Sequence, residues 1–264
     1  KMATEFNPGD MYADDDMVIT ISHLGYIKRT PLADFRQQGR GGVGAKASAA
    51  RDEDFIEYVH QANMHSTMMF FTEQGRLYWT KVYELPEGNR QSKGRALQNM
   101  INIQKGDKVC AFIHVKNLND MEYVQNHYLI FATKDGLMKK TTLESYSRPR
   151  ANGIIALGLR EDDRLIRVTL TDGNSQMLVA SYNGKVVRFP EDTVRPMGRT
   201  ATGVRAIKLD EDGQDRVIGM ICVEEDSKES VLVISEKGYG KRTDLNDENG
   251  EAIYRITNRG AKGV

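Results

Sequence analysis

The segment Gln38-Gly39-Arg40-Gly41-Gly42-Val43-Gly44 holds the densest set of chemistry-bearing features in the chain. Its glycines let backbone amides approach an anion closely, Arg40 adds a planar fork of donors, and Gln38 can donate to a phosphate or tie the loop back to the body. The chemistry on offer is anion binding. Gly39, Gly41 and Gly44 also spell G-x-G-x-x-G, but a dinucleotide site needs a buried strand just before and a helix just after. The preceding Ala33-Asp34-Phe35-Arg36-Gln37 is no buried strand, so that reading is set aside. A plain flexible loop is the other alternative, since glycine and glutamine alone produce one.

Further basic residues recur in one phase of a repeat. They are Lys28, Arg29 and Lys46; Arg76, Lys81, Lys93 and Arg95; Lys139, Lys140, Arg148 and Arg150; Lys185, Arg188, Arg199 and Arg205; and Lys241, Arg242 and Arg259. The whole chain carries 37 basic and 37 acidic residues, and this balance by itself argues against a nucleic-acid binder. The distribution argues the other way. Residues 25–46, 75–95, 136–160, 184–208 and 238–264 hold 26 basic against 10 acidic residues, net +16, which leaves −16 for the remainder. In a propeller-like ring, equivalent positions lie on one side of the disc, so the repeat becomes a positive belt. A polyanion suits such a belt, with binding steep in salt and blind to sequence. Basic strands that only protect sheet edges are the alternative, but edge protection needs no concentration of one sign.

These cations must be positioned by a repeated element. Five glycine turns follow apolar runs and release cationic strands: Gly25 after Met17 to Ile21, Gly75 after Met68 to Phe71, Gly136 after Tyr128 to Ala132, Gly184 after Met177 to Ala180, and Gly238 after Val231 to Ile234. A second glycine follows each, at Gly44, Gly94, Gly153, Gly203 and Gly263, and opens a short stretch such as Gly153-Ile154-Ile155. In the first four units an acidic residue (Asp54, Asp107, Asp163, Asp215) then precedes another apolar run. Period-two runs bounded by Gly, Asn and Asp read as antiparallel strands, and a period of roughly 50 residues is that of propeller blades. Asp172-Gly173 and Asn183-Gly184 read as tight turns with positive φ at both positions. Ala45 to Gln61 would tolerate a helix, but its counterparts elsewhere are loop then strand, so Phe55 to His60 is assigned to a strand.

The expected fold is all-β, with four-stranded antiparallel blades whose apolar faces only a neighbouring blade can cover. Five repeats are visible, starting near 17, 68, 128, 177 and 231, in one domain over 17–264; a sixth blade beyond Val264 stays open. Residues 1–16 read as a linker or cloning remnant, with Asp14-Asp15-Asp16 solvated. No apolar stretch approaches the ~20 residues needed to span a bilayer, and the start carries no apolar signal region. Cys110 and Cys222 sit in apolar strand patterns and read as buried thiols in a reducing cytoplasm. His23, His60, His65, His114 and His127 show no metal-ligand spacing, and no catalytic constellation appears. Tyr26, Tyr78, Trp79 and Tyr239 fall at strand positions and read as packing residues.

The glycine-rich segment resembles the seven-residue box Q-[RK]-R-G-G-[RK]-G of the C-terminal domain of DNA gyrase A. Gln38, Arg40, Gly41, Gly42 and Gly44 match, while Gly39 and Val43 each replace an expected cation. Weaker box-like segments recur in the matching phase at Arg90 to Arg95, Arg148 to Gly153, Arg199 to Gly203 and Asn258 to Gly263, so the resemblance spans essentially the whole chain. It implies a β-pinwheel, a disc whose blades exchange strands and whose basic rim wraps double-stranded DNA. In that family the wrap lets ATP-driven strand passage introduce negative supercoils. The resemblance also implies a bacterial, cytoplasmic, nucleoid-associated location, with partners in the N-terminal breakage-reunion region of the same polypeptide and in the gyrase B protein. No cofactor is expected in this domain, since ATP and Mg belong elsewhere in that holoenzyme. The corresponding domain of topoisomerase IV, with a degenerate or lost box, is the nearest alternative. A WD40 or kelch interaction propeller lacks its Trp-Asp and paired-glycine marks here, and a propeller enzyme would want acids or histidines at a central mouth.

Overall fold

The computed structural model describes residues 8–39, 54–89, 91–223, 230–234, 240–244 and 259–264. The strands are β1 (Asp16–Ser22), β2 (Tyr26–Pro31), β3 (Ile56–Asn63), β4 (Thr67–Thr72), β5 (Arg76–Lys81), β6 (Arg95–Ala96), β7 (Val109–Val115), β8 (Tyr128–Thr133) and β9 (Leu137–Thr142). They continue with β10 (Ile154–Ile155), β11 (Leu165–Thr171), β12 (Gln176–Ser181), β13 (Val186–Pro190), β14 (Val204–Arg205), β15 (Val217–Val223), β16 (Ser230–Ile234) and β17 (Gly240–Asp244). Two short helices, α1 (Leu32–Gly39) and α2 (Met121–Asn126), interrupt this pattern. Neither was expected from the strand periodicity.

Three sheets have four strands each, in the orders β3-β1-β2-β6, β10-β5-β4-β7 and β11-β8-β9-β14; β13-β12-β15 and β16-β17 follow. Each of the first three sheets takes one two-residue strand from the next unit. β6 pairs with β2, β10 with β5 and β14 with β9, all antiparallel. Val264 repeats the exchange on the fourth unit, giving and receiving main-chain bonds with Val186 at 2.8 and 2.9 Å. The expected four-stranded blades are thus completed by their neighbours.

One turn recurs in four units. The amide of Gly25, Gly75, Gly136 or Gly184 donates to the carbonyl of Ser22, Thr72, Thr133 or Ser181 at 2.9–3.1 Å. The hydroxyl of that Ser or Thr accepts from the amide just past the glycine at 3.1–3.2 Å. Asp54, Asp107, Asp163 and Asp215 then accept from the turn amides of Leu24, Gln74, Asp135 and Asn183 at 3.0–3.1 Å. The acidic residue of each repeat is therefore a structural tie between the hairpin and the strand that follows. Only the turn glycine needs positive φ: Gly173 and Gly184 lie at 95° and 85°, whereas Asp162 is the sole positive-φ non-glycine among the described residues. The two-residue turns expected at Asp172-Gly173 and Asn183-Gly184 are corrected accordingly. The side-chain oxygen of Asp172 instead holds the amide of Asn174 at 3.0 Å.

The core lies between blades. One cluster joins Met69, Phe71 and Leu77 to Leu129, Phe131 and Leu165, with the rings of Phe71 and Phe131 edge to face at 5.6 Å. Similar clusters join the first unit to the second and the third to the fourth. Each fully buried aromatic of this kind stabilises the seam by roughly 1.5–3 kcal/mol, so a blade without its neighbour would lose its core. Cys110 and Cys222 are free thiols half-buried in β7 and β15, and burial pushes the Cys110 thiol up to about 12. Residues ahead of β1 are packed: Tyr12 stacks on Tyr83 at 5.1 Å, and the amide of Met64 donates to the carbonyl of Asp15 at 2.9 Å. The side chains of Asp14, Asp15 and Asp16 are exposed, as expected.

Candidate nucleic-acid interface

Among the described residues, the second glycines Gly94, Gly153, Gly203 and Gly263 place the exchanged segments. Gly153 has φ 71°, and a Cβ there would lie 2.7 Å from the carbonyl oxygen of Leu77; at Gly263 it would lie 2.5 Å from that of Val186. Only glycine lets the incoming segment sit this close to the receiving strand. The segments around the later of these glycines are bonded to one another. The amide of Gly158 donates to Ala201, that of Lys208 to Ala261, and that of Gly260 to Ala206, at 3.1, 2.9 and 2.7 Å.

Four of the expected rim cations are interior residues. Arg29, Lys139, Lys140 and Arg188 are 7, 0, 4 and 5 % exposed. The Arg29 Nε donates to the carbonyl of Leu85 at 2.8 Å, and the Arg188 Nε to Gln176 Oε1 at 2.7 Å. Lys140 pairs with Glu191 at 3.3 Å and lies over the Tyr128 ring. Lys139 donates to Tyr146, Ala156 and Arg199. For Lys139, Lys140 and Arg188 the cause is that β9 and β13 are covered on both faces, so period-two alternation does not deliver one side to water. Arg29, on β2, is instead held against the segment 85–88, whose Leu85 and Pro86 carbonyls accept from its Nε and amide. These four are withdrawn from the rim.

Five more cations reach backbone carbonyls. Lys28 donates to Asn89 and Ser92 at 2.7 and 2.8 Å, and burial lowers its pKa. Arg76 reaches Asn152, Lys81 reaches His65, Arg199 reaches Ile155 and Arg259 reaches Arg205. Exposed at the surface are Lys93, Arg95, Arg148, Arg150, Lys185 and Arg205, with Lys93 over the Tyr26 ring at 4.4 Å. Among the described residues, none of these six side chains meets a carboxylate. Lys208 and Lys262 are also exposed on the loop segments and were missed individually, although they fall in the cationic phase of the repeat.

In the glycine-rich segment, Gln38 and Gly39 end α1, so a helix and not a strand leads into it; this removes the dinucleotide reading. Arg40, Gly41, Gly42, Val43, Gly44 and Lys46 lie outside the described residues, and Lys241 and Arg242 are described only as backbone of β17. Tyr78 is buried and the Trp79 Nε1 donates to the carbonyl of Tyr146 at 3.1 Å, as packing residues do; Tyr239 lies outside the described residues.

The family described as DNA gyrase C-terminal domain, beta-propeller, matches residues 16–63, 66–116, 127–172, 176–224 and 229–264. The chain belongs to this family. DNA gyrase A of Staphylococcus aureus (strain NCTC 8325 / PS 47) is 42% identical over 255 residues, covering 97% of this chain and 27% of that protein. The chain thus spans about a quarter of the length of the relatives it matches. A crystal structure of the C-terminal domain of DNA topoisomerase IV superposes with TM-score 0.75 at 26% identity, over 96% of this chain and 73% of that one. A gyrase A C-terminal domain superposes with TM-score 0.68 at 23% identity, over 95% and 76%, and supports the shared fold. The strand exchange between blades is the architecture of a β-pinwheel, and the chain is an all-β gyrase-family C-terminal domain.

Proposed function

We propose that this chain is the DNA-binding C-terminal domain of a gyrase A protein, and that it wraps double-stranded DNA along the edge formed by its exchange loops. The observation that carries the reading is the set of exposed cations, Lys93, Arg95, Arg148, Arg150, Lys185 and Arg205, spread over three successive units without carboxylate partners among the described residues. Phosphates neutralised by such residues release counterions, so binding is salt-steep and sequence-blind. Bending 20–30 base pairs by 40–90° costs on the order of 1–6 kcal/mol, so wrapping needs contacts distributed along an arc. Blades that hand strands to one another hold those contacts at fixed intervals.

In the whole enzyme the wrap would present a second duplex segment to the breakage-reunion region of the same polypeptide, with the gyrase B protein supplying ATP-driven passage and negative supercoiling. A bacterial cytoplasmic, nucleoid-associated location follows from that role. The test is topological: a nicked plasmid is ligated around the purified domain, and the linking-number change is read at low and moderate salt. A salt-sensitive shift of one sign is expected. Binding without a shift would favour the topoisomerase IV type of domain, a reading kept open by uncharged Gly39 and Val43. Absence of binding at low salt would overturn both.

A further inference from the structure

Two of the exchange loops are fastened to their neighbours by the same device. Arg199, four residues before Gly203, donates from Nη1 to the carbonyl of Ile155 at 2.8 Å, beside the main-chain bond from Gly158 to Ala201. Arg259, four residues before Gly263, donates from Nη1 to the carbonyl of Arg205 at 2.6 Å, beside the bonds of Gly260 and Lys208. In both cases the guanidinium reaches the exchanged strand of the preceding unit, β10 or β14. Both arginines are half-buried, whereas Arg195, Arg205, Lys208 and Lys262 on the same loop segments stand in water. The Arg199 loop is held a second time, because the Nζ of buried Lys139 donates to the Arg199 carbonyl. In the third unit the same place is Pro149, which has no side-chain donor, and the flanking Arg148 and Arg150 are exposed without a partner among the described residues.

We propose that Arg199 and Arg259 are positioning residues that hold successive exchange loops in register, and that phosphates are gripped by the exposed cations, Lys93, Arg95, Arg148, Arg150 and Arg205. The inference rests on the DNA-wrapping reading above. A rigid fork spent on a carbonyl supplies orientation, and a point charge in water supplies counterion release. The two classes separate by measurement. Loss of one phosphate contact lowers the slope of log affinity against log salt by about 0.9. Loss of a positioning arginine leaves that slope in place and alters the angle between loops, hence the path of the bound duplex.

The experiment compares wild type, R148Q/R150Q, R199M/R259M and R199K/R259K in two assays: linear duplex binding from 50 to 200 mM salt, and linking number of a plasmid closed around saturating protein. For R148Q/R150Q the salt slope falls by about 1.8, twice the single-contact value. For R199M/R259M the slope is unchanged while the linking-number change per bound protein is at least halved. Lysine at both places, which can still donate to the carbonyl, restores the change. The proposal is overturned if R199M/R259M lowers the slope as R148Q/R150Q does, or if the linking number is indifferent to it. Circular dichroism and melting accompany each variant; if the double variant does not fold, R259M in the last loop carries the same comparison. Failure of the wrapping reading looks different, because there wild type itself gives no binding or no shift, and the inference falls with it.

Discussion

The ammonium of Lys139 and the phenol of Tyr146 are joined by a 3.0 Å hydrogen bond, and both donate to the carbonyl of Ala156, at 2.5 and 2.7 Å. Lys139 also lies over the Phe131 ring at 4.8 Å and has no carboxylate partner among the described residues. The pair locks the third unit's hairpin to the turn behind β10. Burial, and then the nearby charge of Arg199, lowers the Lys139 pKa from 10.5 to about 7.

A pH dependence of stability follows. Between about 7 and 10.5 the unfolded chain binds the proton and the folded one does not, so stability rises with pH across this window. The contribution is full above the unfolded value and lost as pH falls to about 7. Urea unfolding should show wild type gaining on the order of 2–4 kcal/mol over Lys139→Met between pH 7 and pH 10. Parallel curves for the two proteins would mean that Lys139 ionises as an ordinary lysine.

Glu191 is fully buried, pairs with Lys140 at 3.3 Å, and accepts from the Thr171 hydroxyl at 2.5 Å and the Ser175 amide at 3.2 Å. Glu191→Ala strands the Lys140 ammonium in the interior and should cost about 3–5 kcal/mol in denaturant unfolding. K140M/E191L removes both charges and should recover most of that loss. A double variant no better than the single one would show that the hydroxyl and amide bonds dominate.

Gly153 and Gly213 both have positive φ, at 71° and 76°, but only at Gly153 would a Cβ meet backbone, that of Leu77, and the Tyr78 ring. Gly213→Ala should cost about 1 kcal/mol, the left-handed strain alone. Gly153→Ala adds a collision that unseats β10, for a total of about 2–5 kcal/mol. Thermal melting of the two variants decides; similar losses would mean that β10 yields without cost.

Arg205 and Arg188 sit in one cationic phase of the sequence yet should behave oppositely. Arg205 is exposed, whereas the Arg188 Nε is bonded to Gln176 inside the fourth unit. Arg205→Gln should lower the salt slope of duplex binding by about 0.9 and leave melting unchanged. Arg188→Gln should lower the melting temperature and leave the slope in place.

The hairpin glycines Gly25, Gly75, Gly136 and Gly184 and the second glycines Gly94, Gly153, Gly203 and Gly263 were legible because each demand is local. Asp54, Asp107, Asp163 and Asp215 were legible only as a recurring position, since the amides they hold lie 28–33 residues earlier in the chain. A turn that needs positive φ, or a backbone approach too close for a Cβ, marks the sequence at that position wherever the rest of the chain lies. The helix α1 was missed, since the eight residues Leu32–Gly39, with Leu32, Ala33 and Phe35 their apolar side chains, are too few to set a helical period in the sequence; the helix packs beside β1 and β2.

The sequence by itself therefore determined the repeat, the blade type and the phase that carries the cations. Which cations face solvent was decided only by tertiary structure. A strand pattern shows which residues alternate; it does not show that a neighbouring blade and an exchanged strand cover both faces of β9 and β13. Lys139 and Lys140 read like rim charges because the groups that bury them, Tyr146, Ala156, Arg199 and Glu191, lie up to 60 residues away along the chain. Burial is a property of all the elements around a residue, and only their assembly separates a phosphate-gripping arginine from one that holds the fold.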